Sequence, residues 1–165
     1  MMKLKIAILS LIHHGTSETQ PSAARIPYSP YPKTMSWKDI PGMKAGVVTG
    51  DTAWALLNHA KDNGYAIPAF NCTSTSTCNA VLEAGLRLDR PVMVQFSEGG
   101  SAFFCGKALD NKNKQASVLG AVAGAHYVRM VAPSYGIPVL VHSDHCAKKL
   151  LPWFDGCVQE QCTHC

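Results

Sequence analysis

The chain has 165 residues, 47% hydrophobic and 16% charged, with a net charge of +4 from 15 basic and 11 acidic side chains. That length suits one ordinary domain and is too short for two, and the composition is that of a globular protein rather than a disordered one. No apolar run approaches the ~20 residues that cross a bilayer, and the basic residues form no block, which argues against membrane and nucleic-acid partners.

At the N-terminus, Lys3 and Lys5 precede an apolar run over 6–12, interrupted only by Ser10 and followed at once by His13 and His14. This resembles a signal peptide only faintly, because the run is at the short limit for one. Pro21, Pro27, Pro30, Pro32 and Pro41 then fall among Ser and Tyr residues, so residues 1–43 are expected to form an extended or disordered arm. Met35, close to the start of the ordered pattern, is an alternative initiator. The seven cysteines, at positions 72, 78, 105, 146, 157, 162 and 165, are odd in number and irregular in spacing. They suggest no disulfide framework and favour a reducing, intracellular (cytoplasmic) compartment.

From Gly46 the chain alternates between two kinds of segment. Thr49-Gly50-Asp51 signals a helix start, with Trp54, Leu56, Leu57 and Ala60 at helical spacing and Gly64 as the stop. Residues 66–71 form a short apolar run that reads as a strand, with Pro68 weakening it. Residues 73–76 offer several helix caps before a helical stretch over 80–88. Residues 91–96 read as a clearer strand, and Ser97-Glu98-Gly99-Gly100 as a flexible turn whose N–H groups could cradle phosphate. A long helix is expected from about 114 to 132, a third strand over 139–142, and a further helix containing Leu150, Leu151, Trp153 and Phe154. The order is a helix followed by three βα units, which implies an α/β fold with a parallel sheet covered by helices.

In such folds the chemistry gathers at the C-terminal ends of the strands. Those ends carry Asn71, Ser97 and the cluster His142-Ser143-Asp144-His145. Alternation along a strand puts His142 and Asp144 on one face and His145 on the other, unless the strand ends near Asp144. In that case Asp144 and His145 can both face a site, as a proton-moving carboxylate and a zinc ligand. The plainer reading makes them polar residues closing a strand, with Asn71 a turn former. Lys148 and Lys149 could attract phosphate, and otherwise form a solvated helix face.

Four stretches resemble class II fructose-bisphosphate aldolases. They are 44–51 (Lys-Ala-Gly-Val-Val-Thr-Gly-Asp), 66–72 (Ala-Ile-Pro-Ala-Phe-Asn-Cys), 91–100 (Pro-Val-Met-Val-Gln-Phe-Ser-Glu-Gly-Gly) and 136–156 (Gly-Ile-Pro-Val-Leu-Val-His-Ser-Asp-His-Cys-Ala-Lys-Lys-Leu-Leu-Pro-Trp-Phe-Asp-Gly). The last is the most specific. The resemblance implies a zinc-dependent (β/α)8 TIM barrel that splits fructose 1,6-bisphosphate into dihydroxyacetone phosphate and glyceraldehyde 3-phosphate, and a homodimer in the full-length protein. It makes His145 a zinc ligand, Asp144 the acid/base at the C4 hydroxyl, and Asn71 and Ser97 substrate-side residues. Zinc would act as a Lewis acid on the enediolate, so no Schiff-base lysine is needed.

The resemblance spans about 44–156 and stops there. The tail 157–165 holds Cys157, Cys162, His164 and Cys165 but forms no pair of C-x-x-C motifs, and reads as an out-of-frame end. The family's other zinc ligands, a Glu and two His, would lie beyond residue 165, as would its later phosphate loops. About three of eight βα units are expected. Two readings follow: an aldolase represented by its N-terminal part, or a non-catalytic fragment that self-associates or pairs with a full-length subunit. A related aldolase acting on another sugar bisphosphate is a third.

Overall fold

The computed structural model describes residues 36–163, with the side chains of 36–160. Most of the expected arm, the faint signal-like run, Met35, and the tail's His164 and Cys165 lie outside the described residues, as does the side chain of Cys162. The elements in chain order are β1 (Gly46–Val47), α1 (Gly50–Asp62), β2 (Ala69–Asn71), α2 (Thr75–Leu88), β3 (Val92–Phe96), α3 (Glu98–Phe104), α4 (Gln115–Val131), β4 (Pro138–Ser143) and α5 (Leu151–Thr163). Short 3-10 turns cover Trp37–Asp39, Ala132–Tyr135 and Lys148–Leu150.

The four strands form one parallel sheet in the order β1-β4-β3-β2. This is the expected α/β arrangement, with β1 added. That strand escapes sequence reading because it is two residues long. It is recognised only by its bonds to the distant β4 segment, Gly46 N to Ile137 O and Val48 N to Val139 O, both 2.9 Å. β2 begins at Ala69 rather than at 66, because Pro68 offers only its carbonyl, which accepts from Met93 N at 3.2 Å.

Period-two alternation sorts the sheet into two faces. Val92, Val94, Phe96 and Val139 point to one side and pack with Cys78 and Leu82 of α2 and Val128 of α4. Met93 and Leu140 point to the other side, against Leu56 of α1 with Trp37, Ile40 and Val48. So α1 and the segment before it close one face of the sheet at the strands' N-terminal end, while α2 and α4 cover the opposite face.

The segment 36–43, expected to belong to the arm, is ordered where it meets this core. Ser36 caps its 3-10 turn, and Trp37 and Ile40 are buried. Trp37 Nε1 donates to Asp89 Oδ1 at 3.2 Å and Lys38 Nζ to Asp89 Oδ2 at 2.6 Å. Two large apolar side chains among prolines are enough to anchor a segment whose overall composition reads as linker.

Close approach explains two glycines. A Cβ on Gly120 would overlap the Ser101 carbonyl oxygen, and one on Gly124 would stand 2.5 Å from Phe96 Cε1. Their absence lets α4 lie directly on α3 and β3. α5 is fastened to α4 by the fully buried Trp153, whose Nε1 donates to Ser117 O at 3.2 Å. α5 runs on through Cys157 to Thr163, so the part of the tail before His164 continues the helix.

Candidate functional site

The strand register places Asn71 opposite Gln95 and Gln95 opposite His142. All three share the face of Met93 and Leu140, one layer nearer the C-terminal ends. A polar layer therefore sits directly above an apolar one. Gln95 Nε2 donates to Asn71 Oδ1 at 3.1 Å, and Gln95 Oε1 lies 2.8 Å from His142 Nδ1. The amide's oxygen can only accept, so His142 donates to it from Nδ1. Gln95 is buried, while Asn71 and His142 are open to solvent. Sequence reading missed Gln95, which sits inside an apolar strand; the available signal was its inward position in register with Asn71.

β4 ends at Ser143, which frees the next two residues from strand alternation. Asp144 N still donates to Phe96 O at 3.0 Å, fixing its backbone beside the end of β3. Its Oδ1 accepts from His145 N at 2.8 Å, and this bond turns the chain away from the sheet. Asp144 is half-buried and the His145 side chain is exposed. Asn71, His142 and the Asp144-His145 pair thus lie at the C-terminal ends of neighbouring strands, β2 and β4 on either side of β3.

Ser97 lies on the same C-terminal rim but not in a flexible turn. Its Oγ accepts from Gly100 N at 3.1 Å, so Ser97 caps α3 and its hydroxyl proton stays available. Glu98 beside it points to α4 and accepts from Ser117 Oγ at 2.6 Å, Asn111 Nδ2 at 3.1 Å and Lys114 Nζ at 3.2 Å. The Ser117 bond, with those of Lys114 and Asn111, holds the Glu98 carboxyl below its ordinary value against an opposing effect of burial. Lys148 and Lys149 are exposed on the 3-10 turn before α5.

Among the described residues, no three His, Cys, Asp or Glu side chains converge as a metal site. His145 therefore stands as a single candidate ligand, and a catalytic zinc takes three. A cavity of about 200 Å³ beside β4 is lined by Phe96, Val141, His142, Ser143, Trp153 and Phe154, so it reaches His142 of the polar layer. No described helix is long and apolar enough to cross a membrane.

Comparison with known proteins matches these features to one family. A family model described as fructose-bisphosphate aldolase class-II covers residues 51–164. Fructose-bisphosphate aldolase 1 of Paracoccidioides lutzii is 55% identical over 122 residues, which is 74% of this chain and 34% of that protein. The fructose-bisphosphate aldolase of Saccharomyces cerevisiae is 50% identical over 125 residues, 76% of this chain and 35% of that one. The crystal structure of fructose-bisphosphate aldolase from Campylobacter jejuni superposes with a TM-score of 0.72 at 45% identity, covering 79% of this chain and 36% of that chain. The chain spans about a third of the length of the curated relatives it matches.

Proposed function

The chain belongs to the class II fructose-bisphosphate aldolase family, a partial (β/α)8 barrel in structure, and on that premise we propose that the complete protein reversibly cleaves fructose 1,6-bisphosphate to dihydroxyacetone phosphate and glyceraldehyde 3-phosphate. The observation that supports this reading is the rim itself, where a carboxylate and three polar side chains gather at the ends of parallel strands.

In this reading Asp144 accepts the proton of the substrate's C4 hydroxyl during cleavage and returns it during condensation. Its backbone bond to Phe96 keeps the carboxylate at the rim. Asn71 and Ser97 bind substrate oxygens, because an amide and a hydroxyl each offer both donor and acceptor atoms. Gln95 is a positioning residue that holds Asn71 and His142 in register. Residues 44–156 form the barrel portion.

Zinc dependence belongs to the same proposal, with His145 as one ligand. The described residues alone do not hold the metal, and the steps above rest on Asp144, Asn71 and Ser97. The five described cysteines are all free thiols, which suits the proposed cytoplasmic location. The complete protein is proposed to be a homodimer.

The test is a cleavage assay on the protein purified from its source, before and after chelation. Cleavage of fructose 1,6-bisphosphate that is lost with chelator and restored by zinc is expected. A pure protein without that activity in either state overturns the reading.

A second reading has its own observation. The cavity beside β4 has a mixed lining of apolar side chains with Arg129, His142 and Ser143, and strand edges without a partner tend to recruit one. A non-catalytic chain that self-associates or pairs with a full-length subunit would cover it. Co-purification of a full-length aldolase with a stable 165-residue product would favour this reading.

A further inference from the structure

Glu98 follows Ser97 and points away from the rim, into a bonded cluster that the proposed chemistry leaves unused. Its Oε1 accepts from Ser117 Oγ at 2.6 Å, Asn111 Nδ2 at 3.1 Å and Lys114 Nζ at 3.2 Å. Asn111 Oδ1 in turn accepts from Ser117 N at 3.0 Å. Ser117 is fully buried, and the side chains of Glu98 and Lys114 are only 18% and 29% exposed. Lys114 itself stands at φ +68°, a left-handed conformation that a non-glycine residue keeps only where its surroundings over-determine it.

A second contact works with this cluster. Glu98 and Ser101 are three residues apart on α3, and Ser117 and Gly120 are three apart on α4, so each pair shares one helix face. The missing Cβ of Gly120 lets the Ser101 carbonyl oxygen lie against α4. α3 is thus held on α4 at two points, in a fixed register. On another face of α3, an added Cβ at Gly100 would stand 3.4 Å from Thr73 Cγ2 and 3.6 Å from Cys72 O, just past Asn71. α3 therefore spans from α4 to the connection that follows β2, and the Ser97 cap stands at its first turn.

We propose that Glu98 is a positioning residue for the sugar-bisphosphate site, fixing α3 so that the Ser97 hydroxyl at its start meets the substrate. This rests on the reading of Ser97 as a substrate-binding residue. Glu98 does not touch substrate; it acts through Ser97. Its bonds run to α4 and to the segment before it, so losing them frees the end of α3 that carries Ser97, while Gly120 still holds the Ser101 end. Asp144 is fastened separately, by its backbone bond to Phe96 O, so proton transfer is spared and the effect falls on binding.

The test is steady-state cleavage of fructose 1,6-bisphosphate by the complete protein and by its Glu98→Ala, Ser97→Ala and double variants. Glu98→Ala is expected to raise KM about tenfold, the loss of one hydrogen bond to a charged ligand, and to leave kcat within about twofold of wild type. In the Ser97→Ala background, Glu98→Ala should add no more than about a further twofold, since the hydroxyl through which it acts is already gone. Losses that multiply independently in the double variant overturn the proposal, because a merely structural role is additive; an unchanged KM in Glu98→Ala overturns it as well. A wild-type protein that does not cleave fructose 1,6-bisphosphate removes the underlying reading of the site, and the role of Glu98 falls with it. Where Glu98→Ala does not fold, Ser117→Ala removes the 2.6 Å bond and keeps the carboxylate; it carries the same cycle, with KM expected to rise about threefold.

Discussion

Gln95 Oε1 and His142 Nδ1 lie 2.8 Å apart across the boundary between β3 and β4. This contact places a proton on the imidazole's Nδ1, and through Nε2 the same amide reaches Asn71. Replacing Gln95 with Leu removes both bonds while keeping the shape roughly constant. Asn71 and His142 are open to water, so stability should fall by only about 1 kcal/mol. The clearer effect is expected in nitrogen-resolved NMR of His142. The wild type should show the Nδ1–H form, and Gln95→Leu a mixture of tautomers. An unchanged tautomer in the variant would show that Gln95 does not set it.

Glu98 sets an acid-side dependence. Its folded-state value is lowered, chiefly by the Ser117 hydroxyl and then by Lys114 and Asn111. A lowered carboxyl contributes stability above its unfolded value of about 4.3 and loses it as pH falls through the folded value. The Glu98 side chain is only 18% exposed, so solvent screens the effect weakly. Glu98→Gln keeps an acceptor but removes the charge, and should cost on the order of 1 kcal/mol at pH 7. Below pH 4 the difference between variant and wild type should shrink. Urea unfolding at several pH values measures it, and a constant difference at all pH would contradict the assignment. Asp89 is lowered as well, by Lys38 and then Trp37, but it is present in both proteins and cancels.

Two glycine substitutions should act in opposite directions. A Cβ on Gly124 would meet the Phe96 ring at 2.5 Å, and that ring is itself buried edge-on against Phe104 at 5.9 Å between centroids. Neither can yield freely, so Gly124→Ala should destabilise by about 1–3 kcal/mol. Gly99 lies in α3 with nothing within 4 Å of an added Cβ. There, Gly99→Ala should stabilise by about 0.5–1 kcal/mol through helix propensity alone. Thermal melts of the two variants beside wild type check both signs.

These packed contacts mark the limit of what the linear sequence shows. The runs over 91–96 and 139–142 are legible as strands because nearly every residue is apolar, which is what burial on both faces demands. β1 is not legible, because its identity lies in two bonds to residues some ninety positions later. Ser97 reads as a turn because its two glycines are seen, while the hydroxyl that caps α3 is seen only in space. Asn71, Asp144 and His145 stand out as polar residues ending apolar runs. Gln95 does not, since its partners come from neighbouring strands and a register is needed to find them.

The last prediction separates this chain from a complete aldolase. His145 is one imidazole, and a catalytic zinc takes three protein ligands. The isolated 165-residue chain should therefore show no cleavage of fructose 1,6-bisphosphate in a coupled assay, with or without added zinc. In the complete protein, Asp144→Ala should lower kcat by about 10²–10⁴-fold, the usual contribution of one proton-transferring group. Its metal content should stay at the wild-type level, because the Asp144 carboxylate bonds the His145 backbone N–H rather than the imidazole. Metal analysis of the same preparation used for kinetics distinguishes the two roles. A variant that loses activity and metal together would make Asp144 a support for the metal site, and the proton would then need another acceptor on the rim.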